Sequence, residues 1–186
     1  MTKLVKKNKK VLLNFEDEIL DFDEEYFSKL LSALDLELNG VKNNKYSVSI
    51  KFVSIKSIKK LSLDFLGDEK EHNVLSFSSG IEPDKNLGHF LGDIALCTKV
   101  LEREAKEQNK EFKDHLSHVF LHGFLHLLGY EHSTKESAKK MERLEVKILN
   151  NLGIENPYWF SLLFTLAYRI KLYYERRTSG YWGQAR

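Results

Sequence analysis

Apolar residues recur along the chain in two rhythms, one of two residues and one of between three and four, and each change of rhythm marks an element. Lys10 to Phe15 is a short apolar strand. Asp23 to Leu38 carries Phe27, Leu30, Leu31, Leu34 and Leu36 at helical spacing and is closed by Asn39-Gly40. Tyr46 to Val53 alternates Tyr, Val, Ile and Phe with Ser and Lys, as a strand with one wet face does. Ser57 to Leu66 returns to helical spacing with Ile58, Leu61, Leu63, Phe65 and Leu66, and Gly67-Asp68 stops it. A chain that begins strand, helix, strand, helix predicts helices laid over a sheet.

The second half is read in the same way. Val74 to Phe77 and Leu91 to Cys97 are two further strands, parted by a loop that holds Ser78, Ser79, Gly80, Pro83, Asp84 and Gly88. No helix lies between them to make a crossover, so they pair antiparallel. Thr98 to Asn109 is an exposed helix rich in Glu and Lys. Thr134 to Leu152 is an amphipathic one with Met141, Leu144, Ile148 and Leu149. Between these, from about Glu111 to Leu128, Val119, Phe120, Leu121, Phe124, Leu125, Leu127 and Leu128 make a helix apolar nearly all round, which belongs at the centre of a core. The expected fold is a single α/β (α+β) domain, with a small mixed sheet of about four strands covered by helices.

Composition adds a boundary. After Asn156-Pro157, residues Tyr158 to Tyr168 are almost wholly apolar and aromatic, and Arg169, Lys171, Arg176 and Arg177 make the end basic. A membrane span needs about 20 apolar residues. This run is shorter and is broken by Arg169 and Lys171. Residues 1–157 are therefore taken as the domain and 158–186 as an extension that packs on it or on a partner protein. With 186 residues, 42% of them hydrophobic, one well-buried domain is the expected size. Lys+Arg 29 nearly cancels Asp+Glu 27, so no global field imposes a nucleic-acid partner. The charges are uneven: Lys3, Lys6, Lys7, Lys9 and Lys10 open the chain, and nine carboxylates between Glu16 and Glu37 face only Lys29. Cys97, the lone cysteine, has no partner in the chain for a disulfide and reads as a small buried hydrophobe. The apolar piece Val11 to Phe15 is too short for a signal-peptide core. Both features lead to the expectation of a cytoplasmic protein.

Candidate chemistry is concentrated in His122-Gly-Phe-Leu-His126-Leu-Leu-Gly129-Tyr-Glu-His132, three imidazoles in eleven residues. His122 and His126 lie four apart, on one helix face. Gly129 can take a left-handed conformation, end the helix and turn His132 back towards them. Three neutral imidazoles with an open fourth position are the usual ligand set of a catalytic zinc. A metal-bound water there has its pKa lowered from about 15.7 towards about 7. The plain alternative, three histidines merely packed on a buried helix, would leave polar rings unpaired in an apolar setting. His115 and His118, two turns and one turn earlier, either support the ligands or stand at the surface. The same spacing occurs in metzincin peptidases, whose general base is a Glu directly after the first His. Here that position is Gly123, which cannot take a proton.

The three-histidine stretch, together with Asn73-Val-Leu-Ser-Phe77 and Leu91-Gly-Asp93-Ile94, resembles the signature of the YbeY family of bacterial endoribonucleases and ribosomal RNA maturation factors. Order and spacing agree from about Leu13 to Tyr158. The resemblance implies a compact α/β domain with one Zn2+ on His122, His126 and His132, and metal-dependent cleavage of single-stranded RNA in a cleft between the metal and the sheet. It also implies a place in maturing the 3′ end of the small-subunit ribosomal RNA and in ribosome quality control, with the small subunit and assembly factors as partners. Asp93, a carboxylate in an otherwise apolar strand, needs a partner. It either orients a ligand imidazole and manages protons, or bonds to backbone. Ser76 in the neighbouring strand is read as a tolerated serine.

Several positions depart from the family pattern. Where the family carries an arginine before the strand motif, this chain reads Phe65-Leu66-Gly67. An arginine there would hold a phosphate, which Leu66 cannot do. Glu71-His72 replaces a Pro-Thr, and Ser78 replaces a proline. These departures bear on the nuclease chemistry rather than on the fold or the metal. They keep open a non-catalytic zinc-containing ribosome-assembly factor, whereas Gly123 disfavours a metallopeptidase. The sequence identifies no general base.

Overall fold

The computed structural model describes residues 9–16, 24–38, 46–80 and 89–158. Its elements follow the periodicities closely: β1 (Lys9–Phe15), α1 (Glu24–Glu37), β2 (Tyr46–Val53), α2 (Ile55–Leu66), β3 (Val74–Ser78), β4 (His89–Cys97), α3 (Thr98–Glu107), α4 (Phe112–Leu127) and α5 (Lys135–Asn151). Asn39-Gly40, the loop over 81–88 and the extension beyond Tyr158 lie outside the described residues. The chain divides into two compact units, Met1–Glu155 and Asn156–Arg186. Among the described residues no helix is long and apolar enough to cross a membrane.

The four strands form one mixed sheet in the order β1-β2-β4-β3. β1, β2 and β4 run parallel, and β3 is antiparallel to β4, as the short connection between those two strands predicts. Strand alternation sends residues to opposite faces. Val48, Ile50 and Phe52 of β2, with Ile94 and Leu96 of β4, meet Phe27, Leu31 and Leu34 of α1, Phe120 and Phe124 of α4, and Ile148 and Leu149 of α5 in the main core. The other face holds a smaller cluster, in which Val53, Leu75, Ala95 and Cys97 pack on Ile58 of α2 and Val100 of α3. Cys97 is buried, as expected of a small hydrophobe.

Local chemistry sets the element ends. Ser54 caps α2 by accepting from the Ser57 N–H at 3.1 Å, and Gly67 ends it with a left-handed turn at φ 74°. Thr134 and Ser137 cap α5 reciprocally. Two helices differ from the periodicity. α2 buries only Ile58 and Ser62, and Leu63, Phe65 and Leu66 are exposed. α3 is not merely a surface helix, since Val100, Leu101 and Ala105 are buried beneath its charged side.

α4 crosses the main-core face so closely that position 123 has no room for a side chain. A Cβ on Gly123 would meet Ser76 Oγ at 2.8 Å and Val74 Cγ2 at 2.9 Å. Ser76 donates to the Gly123 carbonyl at 2.9 Å, so it ties strand to helix rather than being tolerated there. On β4 a bulge opposite Ser47 and Val48 precedes Gly92, where a Cβ would fall on the Phe77 carbonyl. Gly123→Ala gains helix propensity of about 1 kcal/mol but forces an overpacked contact that costs about 1–3 kcal/mol. A net loss is expected, read as a lower denaturation midpoint in urea. A midpoint unchanged or raised would contradict this packing.

Candidate metal centre

Helix α4 puts His122 and His126 on one face, and its C-terminal turn supplies the third imidazole. Leu128 is the C-cap; Gly129 follows at φ 82°, with its N–H bonded to the His126 carbonyl at 3.0 Å and the Tyr130 N–H bonded to the Leu125 carbonyl at 3.0 Å. This crossed pair of bonds is the Schellman motif. It reverses the chain and brings His132 over the helix end. The ring centroids of His122, His126 and His132 are 4.7, 5.0 and 5.3 Å apart, and Nε2 of His122 faces Nε2 of His126 at 3.1 Å.

The donor set fits a metal ion. One nitrogen from each ring lies within 4.8 Å of the other two. Metal–nitrogen bonds of about 2.0–2.1 Å place tetrahedral donors about 3.4 Å apart, and Nε2 of His122 and Nε2 of His126 stand 3.1 Å apart. Burial holds the His126 imidazole below its ordinary pKa, and His122 and His132 push in the same direction. The neutral form so favoured is the one that binds metal. His122 and His126 are half-buried and His132 is exposed, so the point of convergence opens to solvent at the loop.

A residue that the sequence reading passed over touches this group. Glu145 of α5 is fully buried; its Oε1 lies 2.8 Å from Nδ1 of His122 and its Oε2 lies 3.4 Å from Nε2 of His118. The signal was present: Met141, Glu145, Ile148 and Leu149 form one helical stripe, and a carboxylate inside such a stripe needs partners. His118 thus sits behind the ligand group. His115 does not, and it is no surface residue either: at 4% exposure its Nε2 meets Glu104 Oε2 at 2.8 Å, and Asn73 donates to the same oxygen at 2.9 Å. Asn73 of the strand motif therefore joins β3 to α3 and α4.

Asp93 is placed elsewhere. It is paired in register with Ser49 and Phe77, on the face of the sheet away from α4. It is exposed, and among the described residues no bond joins it to any imidazole. At an exposed position burial does not demand a partner for the carboxylate. Leu66 is 58% exposed at the end of α2. His72 is tied into the following loop, 3.4 Å from an Asp68 whose carboxyl Ser62, Lys70 and His72 hold far below the usual range.

Known proteins resemble this chain over most of its length. The family model described as Endoribonuclease YbeY matches residues 12–153. The Endoribonuclease YbeY of Francisella tularensis subsp. tularensis (strain FSC 198) is 44% identical over 133 residues, covering 69% of this chain and 79% of its own. That of Francisella tularensis subsp. novicida (strain U112) is 43% identical over 133 residues, covering 69% and 82%. Among solved structures, the solution structure of TM1509 from Thermotoga maritima is 25% identical, covers 76% of this chain and 91% of that one, and aligns with a TM-score of 0.49. The match runs from β1 through α5 and takes in all three histidines, so this chain belongs to the Endoribonuclease YbeY family.

Proposed function

We propose that this protein is a zinc-dependent endoribonuclease that cleaves single-stranded ribosomal RNA. In this reading it acts on the 3′ end of the small-subunit RNA and in ribosome quality control, with the small subunit and its assembly factors as partners. The observation that carries the reading is the convergence of His122, His126 and His132 at a point open to solvent. Family membership supports RNA as the substrate class. In this reading the hydrolase domain is residues 1–157, and residues 158–186 are an extension of it.

When bound, the zinc would act as a Lewis acid and lower the pKa of a coordinated water from about 15.7 towards about 7. The chain's own part is to aim the donors. Burial disfavours a proton on His126. The Gly129 turn returns His132 to the helix end, where its exposure leaves one side open to an incoming strand. The peptidase alternative loses further ground, because the space where its glutamate would begin is filled by Ser76 and Val74. One observation favours a second reading, a zinc-containing assembly factor that does not cleave: the exposed Leu66 offers a phosphate neither charge nor a donor.

The purified protein is expected to cut single-stranded ribosomal RNA and to stop when a chelator removes the metal. His126→Ala should lower the rate by more than about 100-fold, beyond what losing a supporting contact costs. Cleavage that survives the chelator would contradict the mechanism. Full zinc occupancy without cleavage would favour the assembly factor. Because Leu66 is exposed, Leu66→Arg should leave stability within about 0.5 kcal/mol. It should also raise the cleavage rate about 10-fold or more, by supplying a charged donor to the phosphate. An unchanged rate would mean that position 66 does not reach the substrate.

A further inference from the structure

We infer that Glu145 is the positioning residue of the metal centre, fixing the His122 ring so that Nδ1 carries the proton and Nε2 presents its lone pair to the point shared with His126 and His132. This rests on reading the three histidines as a metal centre. Neutral imidazole has one protonated and one bare nitrogen, and the hydrogen bond made by one decides the state of the other. Glu145 Oε1 stands 2.8 Å from Nδ1 of His122, and a carboxylate in that place accepts from Nδ1–H. Nε2, 3.1 Å from Nε2 of His126, is then bare and faces the gathering point.

The carboxylate is itself held in place. Its other oxygen lies 3.4 Å from Nε2 of His118, one turn before His122 on α4, so Glu145 is gripped between two imidazoles of one helix. It is fully buried, and its neighbours on the α5 stripe, Met141, Ile148 and Leu149, are apolar. A leucine would pack at that position without the desolvation that a carboxylate suffers, but it would take the facing oxygens away from His122 Nδ1 and His118 Nε2, and removing one member of such a buried group is destabilising. Packing alone does not account for Glu145, whereas orienting a ligand does. The placement also explains why α5 matters to a site to which it contributes no ligand.

The test uses the full chain with Glu145→Leu, Glu145→Gln and no change. Zinc affinity is measured by competition with a chromophoric chelator, thermal stability with and without zinc, and the His122 tautomer by long-range proton–nitrogen spectra of the metal-free, 15N-labelled protein. The unchanged protein is expected to show His122 protonated on Nδ1. Glu145→Leu should lose that preference, bind zinc about 10–100-fold more weakly and gain less in melting temperature from added zinc than the unchanged protein does. Glu145→Gln keeps an acceptor for Nδ1, so it should keep the tautomer and lose less than about 10-fold. Unaltered zinc affinity in Glu145→Leu would overturn the proposal. If that variant does not fold, an unchanged protein with His122 protonated on Nε2 overturns it equally. Failure of the unchanged protein to bind zinc, with the Nδ1 tautomer present, would instead overturn the metal-centre reading.

Discussion

A helix buried on nearly every side has few places for a polar ring, and α4 is such a helix. Its residues from Leu116 to Leu125 press on the sheet, on α1 and on α5, so closely at Gly123 that helix and strand share one hydrogen bond and leave no space for a side chain. Every imidazole on it must then find a partner or a ligand. His115 takes Glu104, and His118 and His122 take Glu145. His126 is left beside His122, and the Gly129 turn adds His132. The candidate centre is thus the place where the apolar packing of α4 runs out and the helix ends.

The same constraint decides what the centre can be. Its ligand spacing is that of a peptidase motif, yet the position of the base is occupied by the helix–strand contact, and Gly123 is required by packing. A nuclease asks something different of the protein, namely stabilisation of charge on a phosphate as well as a polarised water. Of those two demands, the ligand group addresses the second. The first needs charged or hydrogen-bonding groups besides the ligands, and an exposed leucine such as Leu66 supplies neither.

Much of this was legible in the sequence, because one-face patterns translate directly into burial. The strand alternation of Tyr46 to Val53, the antiparallel β3–β4 pair and the helix-ending glycine at 129 all follow from local rules. Local rules do not give the cover on each face of the sheet. α2 buries less than its apolar stripe suggests, since Leu63, Phe65 and Leu66 are exposed, and Asp93 of β4 is exposed as well. Long-range partners were also out of reach: Glu145 lies 23 residues from His122 along the chain, and only the packing of α5 on α4 joins them. Gly123 could be read as the absence of a base, but not as the presence of Ser76 against the helix.

The central claim is that three imidazoles, returned to one point by the Gly129 turn, hold a single ion with one position left open. Anomalous diffraction at the zinc edge from crystals grown with zinc tests it most directly. The account predicts one strong peak about 2.0–2.1 Å from a nitrogen of each of His122, His126 and His132, with a fourth position that no protein atom fills. A zinc peak held by other residues, or one in which Glu145 itself is a ligand, would contradict it.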